Sequence, residues 1–229
     1  KVGIMRSTPG RSTLDPCVWM LVSPALPVGG YSYSQGLEHA VAAGWVKSFD
    51  DARGWIVDLA TIALPRLDLP LLARIYEAAQ SNDASAVARW NAELLAGRET
   101  AELHREDTDM GRALARLCRE LALVMPCVPD PPTFAASFAL ACAEWHIDLE
   151  TACSAYAWVW CENQVAAAVK LVPLGQTQGQ QVLLQLANTL PEIVTAALSC
   201  PDEEIGFAAP GLAIVSSAHE TQYSRLFRS

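Results

Sequence analysis

Lysine, charge and long apolar runs are all scarce in this chain of 229 residues. Lysine occurs only at Lys1, Lys47 and Lys170, so arginine carries most of the positive charge, and the formal net charge is −9. Proteins that bind nucleic acid concentrate Lys and Arg on one positive face, so this balance argues against such a partner. No run approaches the roughly 20 apolar residues that span a bilayer. We therefore expect a cytoplasmic protein that binds neither nucleic acid nor a membrane.

Motifs for nucleotide, metal and redox chemistry are missing as well. There is no GxxxxGK[ST] loop to hold phosphates, so the chain should not hydrolyse a nucleotide by itself. The seven cysteines include no CxxC pair, and free, reduced thiols are their simplest state. The four histidines are far apart in the sequence. The sequence therefore predicts no catalytic residue, no metal site and no cofactor bound by this chain.

Apolar residues are abundant and recur at helical spacing. They make up 52% of the chain against 18% charged residues, which indicates a large core or a surface covered by another subunit. From Leu14 onward the three-and-four spacing predicts helices, and strands are hardly visible. We expect an all-α protein, a single-domain bundle of about ten helices over 14–229 that self-associates. Residues 1–13 are predicted to be disordered or vector-derived.

Several local predictions follow from helix chemistry. Residues 149–172 are so apolar that this helix should lie at the centre of the core. Asp50 or Asp51 should cap the helix that carries Trp55, and Asp83 should cap the helix that carries Trp90. The prolines in 125–132 should break the chain between two groups of helices. The mixed-charge run 98–107 is typical of a solvent-exposed helix face.

The C-terminal tail, residues 219–229, is unusually rich in anchoring side chains. Tyr223, Leu226 and Phe227 can bury against a surface, while Arg225 and Arg228 offer planar donor groups for carboxylates or carbonyls. Two interpretations stay open at this point. The tail either docks on its own domain or binds a partner.

Residues 23–38, SPALPVGGYSYSQGLE, form a shaped loop before a helix. The prolines stiffen it, Gly29 and Gly30 permit a sharp turn, and Ser32 or Ser34 can cap the helix that follows. The GYSYS stretch is similar to a nucleophile elbow, but Ser34 stands where the closing glycine belongs and no strand precedes it. A helical serine hydrolase using Ser32 or Ser34 is the alternative that this stretch leaves.

Four ordered blocks of this sequence resemble the UreF family of urease accessory proteins. They are the segment 23–38, RETAEL at 98–103 followed by MGRAL at 110–114, KLVPLGQ at 170–176, and the tail HETQYSRLFRS. The likeness covers nearly the whole chain from Leu14. The sequence departs from the family pattern before the first block, where PCVWMLV replaces the usual Leu-rich run.

The resemblance implies an all-helical, non-enzymatic scaffold that forms a homodimer. Family members bind UreD, also called UreH, and the GTPase UreG, and the assembly delivers Ni²⁺ to apo-urease. UreF is thought to modulate GTP hydrolysis and the fidelity of activation. Ni²⁺ and GTP would then belong to the complex and not to this chain. A direct nickel-binding chaperone using His219, Glu220 and cysteines is a further alternative.

The resemblance also implies which residues contact partners. The tail matches the segment that becomes ordered against UreD, Tyr31 and Arg225 match positions that recruit UreG, and Glu38 and Lys170 match the GTPase-facing surface. The full predicted partner-binding set is Tyr31, Ser34, Glu38, Lys170, His219, Glu220, Tyr223, Arg225, Leu226 and Phe227.

Overall fold

The computed structural model describes residues 15–172, 175–206 and 209–229, so the predicted N-terminal segment 1–13 lies outside the described residues. Within those ranges the chain forms ten α-helices and two 3₁₀ turns, with no strand, as the apolar spacing predicts. The helices are α1 (Pro16–Leu21), α2 (Leu37–Ala42), α3 (Phe49–Ile62), α4 (Asp68–Gln80), α5 (Ala84–Ala96), α6 (Ala101–Glu120), α7 (Phe134–Glu144), α8 (Leu149–Leu171), α9 (Gln176–Leu198) and α10 (Pro210–His219).

Helix α8 lies at the centre of the core, which confirms the prediction from its apolar sequence. It packs against α9, α4, α3, α7 and α2. A helix with apolar residues on all sides is stable only when neighbours cover every side. Its Tyr156 ring packs against Phe134 and Phe138 of α7, with ring centroids 5.5 and 5.6 Å apart. These contacts fix α7 against α8.

Helix starts are set by side chains that bond to free backbone amides. Asp83 accepts a hydrogen bond from the Ala86 amide at 3.0 Å, as predicted. For α3 the predicted cap was wrong by two or three residues. Ser48 is the N-cap, and Asp51 completes a capping box by accepting from the Ser48 amide at 3.0 Å.

The proline-rich segment 125–132 connects α6 to α7, where a break was predicted. Helix α7 nevertheless packs against α4 and α6, which both precede the prolines. The contact with α6 is close at Gly111, where an added Cβ atom would lie 2.3 Å from the Pro132 carbonyl oxygen. The glycine therefore lets the start of α7 pack directly on α6.

The prediction that the mixed-charge run 98–107 is a solvated face was wrong for part of it: Glu99, His104 and Arg105 are exposed, but Glu106 and Asp107 are buried. The Arg98 side chain is 15% exposed and forms ion pairs with Asp68 of α4 and with Asp107, at 2.8 Å for Asp107. The Tyr156 hydroxyl donates to Asp68 at 3.0 Å. Burial lowers the pKa of Arg98, but Asp107 and Asp68 raise it by more, so the guanidinium stays charged. This network joins α4, α6 and α8.

Among the described residues, no helix is both long and apolar enough to span a bilayer. The cysteines are free thiols, and four of the seven are buried in helices: Cys118, Cys142, Cys153 and Cys161.

Candidate partner-binding site

The C-terminal tail folds back onto the chain that carries it. Helix α10 packs against α2 and α6, and the residues after it return across the segment that precedes α2. Three glutamates receive this segment, and we call them the tail clasp: Glu38 on α2, and Glu102 and Glu106 on α6. All three accept hydrogen bonds from tail residues. The clasp links positions more than 100 residues apart in the sequence.

Glu38 holds the tail by its backbone. Its carboxylate accepts from the Leu226 amide at 2.7 Å and from the Phe227 amide at 2.9 Å. The same carboxylate lies 3.1 Å from Nε2 of His219. A carboxylate with several donors around it makes strong charge-assisted bonds, and Glu38 is buried, so these bonds are protected from water. Glu38 thus fixes the path of the tail.

Glu102 holds the tail by two side chains. Its Oε2 lies 2.7 Å from Nδ1 of His219, and its Oε1 accepts from the Arg225 guanidinium at 2.6 Å. Both ring nitrogens of the buried His219 therefore lie within hydrogen-bond distance of a glutamate oxygen. The Glu102 amide in turn donates to Glu220 at 3.3 Å. The tail and the start of α6 support each other.

Glu106 binds the end of the tail inside the protein. Its Oε2 accepts from the Ser229 hydroxyl at 2.7 Å, and its Oε1 accepts from the Gln35 side-chain Nε2 at 2.8 Å. Gln35 accepts from the Trp160 ring nitrogen of α8 at 2.9 Å. Burial raises the pKa of Glu106 to about 7, although its two hydrogen bonds act in the opposite direction. This carboxyl group therefore titrates near neutral pH.

The serines of the first block pair with the tail backbone. Ser34 is fully buried, and both its amide and its hydroxyl donate to the Ser229 main-chain oxygen. The Ser32 carbonyl accepts from the Arg228 amide at 2.8 Å. Within the part of the chain that the structure describes, no histidine bonds to either serine hydroxyl. The arrangement gives the serine hydrolase alternative no support.

Lys170 brings together two other predicted residues from distant segments, Tyr31 and Phe227. The Lys170 ammonium group lies 5.4 Å from the centroid of the buried Phe227 ring and 6.0 Å from that of Tyr31. A cation at these distances from a ring face is attracted by its π electrons. Tyr31 itself is 65% exposed. The end of α8, the turn before α2 and the tail therefore form one surface.

The outer side of the tail carries exposed side chains. Tyr223 is fully exposed, Leu226 is 66% exposed, and the Arg225 side chain stays 40% exposed while it pairs with Glu102. Tyrosine and arginine are enriched in protein interfaces, and Leu226 adds exposed apolar area beside them. The ten predicted residues are thus brought together, with some holding the tail and others facing solvent.

Close packing of α10 on the loop before α2 requires a glycine. Gly36 has a left-handed φ of 76°, which an L side chain adopts with strain. A Cβ atom there would also lie 2.6 Å from Cγ2 of Val215 and 3.1 Å from the Ser216 amide. Only glycine lets α10 approach closely enough for His219 to reach the clasp.

No group of three or more His, Cys, Asp or Glu side chains in the described residues is arranged to hold a metal ion. His219 uses both nitrogens on Glu102 and Glu38, and Glu220 accepts from the start of α6. The direct nickel chaperone therefore finds no support at the residues named for it.

Comparison with known proteins gives the family. A family model described as UreF matches residues 46–187. The chain belongs to the UreF family. It is 53% identical over 218 residues to a protein named "Urease accessory protein UreF" from Alkalilimnicola ehrlichii, covering 93% of this chain and 94% of that protein. Proteins of the same name from Teredinibacter turnerae and Chromohalobacter salexigens are 49% and 44% identical and cover 91% and 97% of this chain.

Two clasp residues of this UreF family member were missed from the sequence. Glu102 and Glu106 lie in the run that was predicted to be solvated, and the i, i+4 spacing alone fits that interpretation. The tail gave the only indication in the sequence, because a histidine and an arginine that become buried need acidic partners. Nothing in the sequence indicated which of the 25 acidic residues those would be.

Proposed function

We propose that this chain is a scaffold for urease maturation that joins UreD, also called UreH, and the GTPase UreG to apo-urease. In that assembly UreG supplies the Ni²⁺ and hydrolyses the GTP, and this chain modulates the hydrolysis and the fidelity of nickel insertion. The observation that carries the proposal is the convergence of Tyr31, Ser34, Glu38 and Lys170 on the tail that contains the other six predicted residues.

Membership of the UreF family makes the chain an accessory protein and not an enzyme. A scaffold has to present fixed side chains to other proteins, and the tail clasp does so. Glu38 and Glu106 hold the tail backbone and Ser229, which leaves Tyr223 and Leu226 free to contact a partner. We infer that the buried members act by positioning and the exposed members by direct contact.

The two proposed partners use neighbouring parts of this surface. We assign UreD to the exposed tail residues Tyr223 and Leu226. We assign UreG to Arg225 and to the pair Tyr31 and Lys170 beside Phe227. Because Phe227 touches Lys170 while its amide bonds to Glu38, a shift of the tail on binding one partner moves the patch offered to the other.

The test is co-purification of this chain with UreD and UreG on a size-exclusion column. We compare the wild type with Arg225→Ala and with a chain ending at Ala218. Arg66→Ala is the matched control, because Arg66 also forms an exposed ion pair, with Glu204, away from the tail. The wild type and the control should form the ternary complex, and the two tail variants should lose UreG or UreD.

Equal assembly by all four proteins would contradict the proposal and leave the tail with a role only in this chain's own fold. We further propose that the chain acts in the cytoplasm as a homodimer, for which light scattering should give twice the mass of one chain.

A further inference from the structure

The outer face of helix α6 carries a row of arginines that the proposed function does not use. Arg105, Arg112, Arg116 and Arg119 are all exposed. At 100° per residue they lie within an arc of about 60°, and at 1.5 Å per residue they extend over about 21 Å. We call these four residues the arginine ridge.

Three of the four ridge arginines differ from the other described arginines because they have no partner among the described residues, and the fourth is only weakly paired. Arg105, Arg116 and Arg119 form no ion pair or ring contact with the described residues, and Arg112 reaches only 3.8 Å from Asp109. The remaining described arginines each have a carboxylate, a ring or a tyrosine hydroxyl beside them: Arg53, Arg66, Arg74, Arg89, Arg98, Arg225 and Arg228. The described arginines outside the ridge therefore all have a partner group in this chain.

The ridge opposes the overall charge of the molecule. The chain has a net charge of −9, so three unpaired cations and the weakly paired Arg112 on one helix face form a local field of opposite sign. An open, shallow depression lies along the first half of the ridge, lined by His104, Arg105 and Arg112 together with Glu99 and Asp109. The aligned guanidinium groups beside it offer hydrogen-bond donors to a partner.

We propose that the arginine ridge is a docking surface for an acidic segment of a partner protein, separate from the tail clasp. Guanidinium groups bind carboxylates by paired hydrogen bonds, and arginine is favoured in protein interfaces. Asp109 and Glu120 border the ridge on α6. These carboxylates repel a continuous phosphate backbone, whereas the separate side chains of an acidic protein segment can avoid them. The inference does not depend on the assignment of UreD or UreG.

The probe for the test is a fluorescently labelled peptide of ten glutamates, followed by anisotropy at low salt. The ridge variant is Arg105→Gln, Arg116→Gln and Arg119→Gln together. Its control is Arg53→Gln, Arg66→Gln and Arg89→Gln, which removes the same charge from exposed arginines that have partners. We expect the ridge variant to bind at least about tenfold more weakly than wild type and the control to change by less than about twofold.

Four results would overturn the proposal. The first is failure of the wild type to bind the peptide, and the second is equal weakening of binding in both variants, which would make the effect one of net charge. The third is tighter binding of a single-stranded DNA oligonucleotide than of the peptide, with the same dependence on the ridge, which would assign the surface to phosphate. The fourth is loss of self-association by the ridge variant alone in light scattering, which would make the occupant a second copy of this chain.

Discussion

Glu106 ties the stability of the tail to pH. The unfolded chain titrates this group near the ordinary value of 4.5, whereas burial raises its pKa to about 7 in the folded protein. Between pH 4.5 and about pH 7 the folded state therefore keeps a proton that the unfolded state has already lost. The contribution of Glu106 to the free energy of unfolding is fully present below about pH 4.5 and is lost as the pH rises to about 7.

Glu106→Gln should remove this dependence. Glutamine has the shape of the neutral acid and can still bond to Gln35 and Ser229, so the fold is kept. Above pH 7 the variant should be more stable than wild type by an amount on the order of 2 kcal/mol, and the difference should vanish near pH 4.5. Urea unfolding of both proteins from pH 4.5 to 8 measures it. A difference that does not change with pH would show that Glu106 keeps an ordinary pKa.

Glu38→Gln tests the grip on the tail backbone. The carboxylate accepts from Leu226, Phe227 and His219, and an amide replaces one acceptor oxygen by a donor. Leaving a buried amide unpaired costs about 2 kcal/mol, so hydrogen exchange at Leu226 and Phe227 should quicken roughly 30-fold.

The exposed Glu93→Gln is the control for that substitution, and it should leave exchange at both amides unchanged. Unchanged exchange in Glu38→Gln as well would mean that the tail is held by other contacts.

At the scale of elements, the fit of α10 against the loop before α2 decides where the tail begins. Gly36→Ala combines a strained φ with a Cβ atom 2.6 Å from Val215, so α10 has to move. Gly29→Ala introduces the same kind of strain, at a φ of 79°, where no atom lies within 4 Å.

We expect Gly29→Ala to cost about 1–2 kcal/mol of unfolding free energy, and Gly36→Ala to cost about 2 kcal/mol more. The second variant alone should also increase protease cleavage in the tail. Equal effects of the two substitutions would show that α10 does not depend on this contact.

The periodicity and composition of the sequence were sufficient to predict the helices. Helix α8 is apolar around its whole circumference, and Asp83 stands at a helix start with free amides after it, so local sequence determines both features. Local sequence was insufficient for α6. The spacing of Glu102 and Glu106 is the same on a solvated helix as on one that receives a tail, because the acceptors bond to residues more than 100 positions away.

At the scale of the whole molecule, the resemblance to the UreF family identified the ten site residues, and the structure separates their roles. Ser34, Glu38, His219 and Phe227 are buried and hold the tail, while Tyr31, Tyr223 and Leu226 face solvent. No rule of spacing distinguishes Phe227 from Leu226, which are neighbours of similar hydrophobicity. The difference depends on which side of the tail Lys170 and the clasp occupy.

The central claim is that the clasp presents the outer side of the tail to UreD. Its most direct test compares Leu226→Ser with Leu184→Ser, since both leucines are 66% exposed and Leu184 lies on α9, away from the tail. Both variants should unfold at the wild-type urea concentration. The account predicts that Leu226→Ser binds purified UreD at least about tenfold more weakly in calorimetric titration, while Leu184→Ser binds as wild type does. Equal affinity of the two variants for UreD would contradict it.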